Sequence, residues 1–213
     1  MNITDRAMLV GLNIRQWSAV KHDKKVSSEV ATAHGSDSKM GRYNKNLVSA
    51  EALAELKRIA GAARAEHYHR TLPWGDDGFR ILTSAGYFDY NAKMSEFRQQ
   101  FETALSTFTA GYSQYVEDAR TRLNGLFNPA DYPRSIERKF GFEVSVRPVP
   151  DADDFRVDIG TAETARIKRD IQDQVNQTIQ TAMAELSSRS PQELIDDRYR
   201  KFRQMGNFFS EGK

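Results

Sequence analysis

The sequence predicts an α+β fold dominated by helices: two long antiparallel helices set against a small antiparallel sheet that includes a β-hairpin. Three observations predict it. From Met94 to Leu126 apolar residues recur at spacings of three and four for over thirty positions, the period of an amphipathic helix. A second stripe runs from Ile167 to Leu186. Between them, FGFEVSVRPVPDADDFRVDIG alternates apolar and polar residues twice around a turn rich in proline and aspartate, which is the pattern of a hairpin.

Composition narrows the class. The 213 residues suffice for one sizeable core. Hydrophobic residues make up 39% and charged residues 28%, with a mean hydropathy of −0.66, so much of the helical surface must face water. There is no cysteine, which excludes a disulfide framework, a thiolate nucleophile and any Cys-ligated metal. The opening MNITDRAMLVGLNIRQW carries an early acid and only a short apolar run. It does not resemble a signal peptide, and no segment approaches the ~20 apolar residues that spanning a bilayer requires. The expected location is the cytoplasm. We expect a single α+β domain over 1–190 and a C-terminal helix and tail over 191–213.

Taken in order, residues 8–16 read as a half-buried strand, with Val10, Leu12 and Ile14 on one side. A polar, basic stretch follows, with a short helix about Val26–Ala33 inside a flexible loop about 21–47. Ser49 caps the next helix, whose stripe is Leu53, Leu56, Ile59 and Ala63. The long helix from Met94 carries Phe97, Phe101, Phe108, Tyr112 and Tyr115 on its stripe. Aromatic residues at this spacing are core rather than a stacking platform, because burying each contributes a few kcal/mol. In the hairpin, about 140–160, Phe142, Val144 and Val146 face inward on one arm and Phe155, Val157 and Ile159 on the other. Thr161 caps the second long helix, with Glu163 in its first turn. With residues 8–16 the hairpin makes at least three strands.

The stretch HYHRTLPWGDDGFRIL, residues 67–82, gathers the residues of an active site without the spacing of one. His67 and His69 point to different faces of a helix. A metal-dependent hydrolase would need them to converge with Asp76 or Asp77, a pattern that matches no standard ligand spacing. We read the stretch as a corner: two turns with Trp74 capping the core. No catalytic residue, metal ligand or cofactor is assigned.

Net charge is only +2, but it is unevenly placed. Between Arg15 and Lys45 lie seven cations and three acids, a local balance of +4 against −2 for the remainder. Arg15, Lys21, Lys24, Lys25, Lys39, Arg42 and Lys45 could neutralise phosphates, and Trp17 and Tyr43, interleaved with them, could stack on unpaired bases. Arg198, Arg200, Lys201 and Arg203 form a second basic group, followed by the aromatic pair Phe208 and Phe209.

The runs NLVSAEALAELKRI, TLPWGDDGFRIL, YVEDARTRLNGLFNPADYP and KFGFEVSVRPVP resemble uncharacterised proteins of phages and mobile elements. That resemblance covers most of the chain. It implies a bacterial host cytoplasm and a role in DNA transactions or virion assembly, and it carries no site residues.

Two functions are therefore expected from different classes. The first is a non-enzymatic protein that binds nucleic acid, single-stranded DNA above all, as a homo-oligomer. The second is an assembly or host-interaction protein that docks a partner through its long helices and Phe208–Phe209. The hydrolase ranks behind both.

Overall fold

The computed structural model describes residues 6–37, 39–75, 77–151 and 161–187. Its elements in chain order are β1 (Ala7–Arg15), β2 (Val20–His22), α1 (Lys24–His34), β3 (Asn44–Asn46), α2 (Ala54–Arg70), β4 (Leu72–Pro73), β5 (Phe79–Thr83), α3 (Tyr87–Leu123), β6 (Gly141–Pro148) and α4 (Thr161–Ser187). The fold is α+β and helix-dominated. It divides into two compact units, one built from Met1–Leu12, Ala62–Ser95 and Glu143–Lys213, the other from Asn13–Gly61 and Glu96–Phe142.

The first unit is organised on a four-stranded sheet of order β4-β5-β1-β6. β1 and β5 pair antiparallel, with Leu9 opposite Ile81 and Gly11 opposite Phe79. β1 lies inside this sheet and both its faces are covered, so Leu9 and Val10 are both buried and the expected one-sided alternation does not hold. Leu9 and Ile81 form a core with Val149 and Val175, flanked by Leu72, Trp74, Phe79, Ile171 and Ile179. Each such side chain, fully buried, contributes roughly 1.5–3 kcal/mol. The stripe of α4 thus meets the sheet. Gly11 is required by close approach: a Cβ there would lie 2.9 Å from Ser145 Oγ and 3.1 Å from the Phe79 ring.

Two further expectations change here. The apolar run Phe79–Leu82, which follows the second expected turn and carries no predicted element of its own, is strand β5, and Leu72–Pro73 adds β4 beside it. The first hairpin arm is β6, which lies next to β1, and its Val146 is exposed rather than inward. The second arm, 155–159, falls outside the described residues, as does the tail from 191.

The second unit is packed around aromatic rings. Phe101 and Phe108, seven positions apart on α3, both meet Phe140, at centroid distances of 6.5 and 5.6 Å. Leu53, Leu56 and Ile59 of the Ser49-capped segment are buried, as predicted, and Ser49 Oγ accepts from Ala52 N at 3.4 Å. Around the expected short helix, which is α1, the stretch expected to be a flexible loop pairs β2 with β3. The helix begins two residues before the expected Val26 because Asp23 is its N-cap, accepting from Val26 N.

Candidate nucleic-acid interface

The second unit carries residues 20–46 as an insert whose two ends meet. β2 and β3 pair antiparallel, with Val20 opposite Asn46 and His22 opposite Asn44. Leu47 N donates to Ala19 O at 2.8 Å just outside that pairing. Ala19 itself is buried and sits at φ 54°, a left-handed conformation that costs an alanine about 1–2 kcal/mol. The surrounding bonds hold it there.

Two polar clusters fasten the base of the insert. In the first, Ser27 Oγ donates to Asp23 O at 2.7 Å, accepts from Tyr43 N at 3.0 Å and lies 3.0 Å from His22 Nε2. A serine beside a histidine invites a nucleophile-and-base reading. Here the hydroxyl proton goes to the Asp23 carbonyl, so the pair is a structural junction that ties the returning strand to the first turn of α1. Asp23 N donates to Tyr43 O at 3.0 Å and completes it.

The second cluster is centred on Lys45. The side chain is only 5% exposed. Its Nζ donates to Leu126 O at 2.8 Å and lies 2.9 Å from Asp131 Oδ2 and 3.3 Å from Asp23 Oδ2. Burial works against the ammonium, but hydrogen bonds to Asp131 and Asp23 and their charges outweigh it, so its pKa stands above the usual lysine value. Asp23 is held below the usual carboxylate range, first by the Val26 N–H and also by Lys45. Tyr132, next to Asp131, donates to Leu47 O at 2.9 Å. NPADYP, which the sequence reads only as a helix terminator, therefore supplies the acid and the hydroxyl that hold the insert down.

This placement corrects one expected site residue. Lys45 is spent inside the protein, because its buried ammonium donates to a carbonyl and stands at ion-pair distance from two carboxylates. Trp17 is half-buried and makes a T-shaped contact with Tyr112, with centroids 6.0 Å apart and planes at 75°. The remaining cations of the segment, Arg15, Lys21, Lys24, Lys25, Lys39 and Arg42, are all exposed. Lys21 lies 3.9 Å from Asp131, and Lys25 lies 3.9 Å from Glu29 one turn along α1. Tyr43 is 38% exposed and Met40 83% exposed. Met40 was not among the expected contacts, yet it stands between Lys39 and Arg42. Arg198, Arg200, Lys201, Arg203, Phe208 and Phe209 lie outside the described residues.

In the histidine-rich corner of the first unit, the two histidines lie in different surroundings. His67 is buried on α2, its Nδ1 2.8 Å from the Tyr90 hydroxyl, while its backbone oxygen accepts from Thr71 Oγ1. His69 is exposed on the same helix, so the two do not converge. Asp77 accepts from Phe79 N in the turn, and Asp76 lies outside the described residues. Arg80 donates to Thr71 Oγ1 and O at 2.7 and 2.9 Å, and its guanidinium sits 4.7 Å from the Tyr68 ring centroid. Burial, and secondarily the Arg80 charge, push the His67 pKa down to about 4, so the imidazole is neutral at ordinary pH. Trp74 packs against the core, as expected.

No known protein family, characterised protein or solved structure matches the chain. Among the described residues, no helix is long and apolar enough to cross a membrane.

Proposed function

We propose that this chain is a non-enzymatic nucleic-acid-binding protein that favours single-stranded DNA and uses the 20–46 insert as its contact surface. The observation that carries the reading is a division of labour within one basic segment. Lys45 is buried and fixes the insert, and the other six cations of the segment face water. A surface held in place before its ligand arrives loses less conformational entropy on binding. Lysine and arginine neutralise phosphates without regard to sequence. Tyr43 and Met40, exposed among the cations, add apolar contact of the kind that unpaired bases offer and a closed duplex does not.

The test is fluorescence anisotropy of a labelled single-stranded oligonucleotide at two salt concentrations. If the insert neutralises about five phosphates, raising salt from about 50 to 200 mM weakens binding on the order of a hundredfold. Replacing Lys21, Lys24 and Lys25 with Ala removes most of that salt dependence. An absence of binding at the lower salt ends the proposal.

A second reading, assembly with other copies or with a host partner, is favoured by one observation in the first unit. Phe88, in the first turn of α3, is 79% exposed. A large aromatic side chain left in water at a helix start is the kind of residue that anchors an interface.

A further inference from the structure

Where β3 rejoins the body of the second unit, a pocket of about 320 Å³ opens between the segment Asn46–Glu51 and two turns of α3. Its floor is apolar. Tyr115, Ala119 and Leu123 recur every fourth residue along the helix, and Val48 closes the side. The Tyr115 ring is stacked on Phe108, with centroids 5.5 Å apart and planes 22° from parallel, which fixes its orientation. The rim is polar and charged: Glu51 and Asp118 supply carboxylates and Arg122 a guanidinium. The Ser49 hydroxyl and the Arg122 charge help hold the Glu51 carboxyl below its ordinary pKa, after the Glu51 backbone N–H. Asn46, at the edge of the pocket, is the register partner of Val20. The pocket therefore begins at the foot of the insert.

We infer that this pocket takes one unpaired, amino-bearing nucleobase of a strand lying along the insert. The inference rests on the nucleic-acid reading and gives it a base preference. A nucleobase is apolar on its faces and polar only at its edge, which matches a floor of aromatic and aliphatic groups under a polar rim. The two carboxylates can only accept hydrogen bonds. Cytosine N4 and adenine N6 are amino donors at the position where thymine carries the O4 acceptor. An amino-bearing base therefore donates to Asp118 or Glu51, whereas thymine turns its O4 towards the same carboxylate and has only its N3–H left to donate. Arg122 takes the phosphate that follows the base, as a guanidinium does.

The experiment compares oligo(dC) with oligo(dT) of equal length by anisotropy, above neutral pH, using the full chain and Asp118→Asn. Asp118 is exposed and, among the described residues, is bonded only within its own helix, to Gln114 at 2.8 Å, so this variant keeps the fold. The expected result is tighter binding of oligo(dC), about tenfold for one well-placed hydrogen-bonded pair. In Asp118→Asn the ratio falls towards one while the salt dependence stays. Equal affinities for the two strands in the parent chain, with steep salt dependence, overturn the base subsite and leave the phosphate surface standing. No binding of either strand overturns both. Deoxycytidine 5′-monophosphate is the remaining probe. If it binds with the same dependence on Asp118 when neither strand does, the pocket holds a free nucleotide, and its assignment to a strand is overturned.

Discussion

His67 shows what a single buried side chain does to the behaviour of this fold with pH. In the unfolded chain the imidazole takes a proton near pH 6.5. In the fold, burial beside Tyr90 and the nearby Arg80 lower that pKa to about 4. Between those values the unfolded state binds more protons than the native state, so stability rises with pH across the window and is lost as pH falls through it. From this residue alone the protein is expected to be about 2 kcal/mol less stable at pH 5 than at pH 7, measured by urea unfolding. In His67→Gln that slope should flatten. If the parent chain shows no slope between pH 7 and pH 5, the buried neutral imidazole is refuted. The sequence could indicate that His67 and His69 point apart, because helical geometry settles that. It could not show which of the two is buried, since that depends on Tyr90, 23 residues away. The same limit hid Lys45. A lysine in a basic run reads as solvated until Asp131 is known to stand beside it.

At the scale of elements, the helices were legible and the short strands were not. The stripes of α3 and α4 span many turns, so a 3.6-residue period has room to declare itself. β4 is two residues long, and β5 is covered on both faces at Ile81 and Leu82, so neither carries a period-2 signal. β2 and β3 have three residues each and are polar, which is why a fastened insert resembled a loop in the sequence. The pairing of His22 with Asn44 makes the insert separable. Two antiparallel strands in that register can be closed by a two-residue Asn-Gly turn. Replacing residues 23–43 with Asn-Gly is expected to preserve cooperative thermal unfolding, because Lys45 keeps Asp131 and the Leu126 carbonyl. It should also abolish salt-dependent binding of a single strand. A variant that still binds with the parent's salt slope would move the nucleic-acid surface off the insert.

At the scale of the molecule, the first unit is closed by segments far apart in sequence: its sheet sets β6 next to β1 and brings in β4 and β5 from between them. Assembly of whole molecules is tested at the same scale. If Phe88 anchors contact between copies, sedimentation velocity of the parent chain shows an oligomer that Phe88→Asp dissociates. A parent chain that sediments as a monomer across the micromolar range removes contact between copies from the assembly reading. The attachment of Lys45 also has a consequence in time. Its carbonyl acceptor, Leu126, lies 81 residues further along the chain. At ribosomal rates of 5–20 residues per second, roughly 4–16 s separate the synthesis of donor and acceptor. Through that interval the ammonium has only Asp23, of its three final partners, already made. A newly made chain therefore leaves the Lys45 ammonium without two of its three partners until α3 and the turn after it exist, so the foot of the insert closes only once Asp131 has been made.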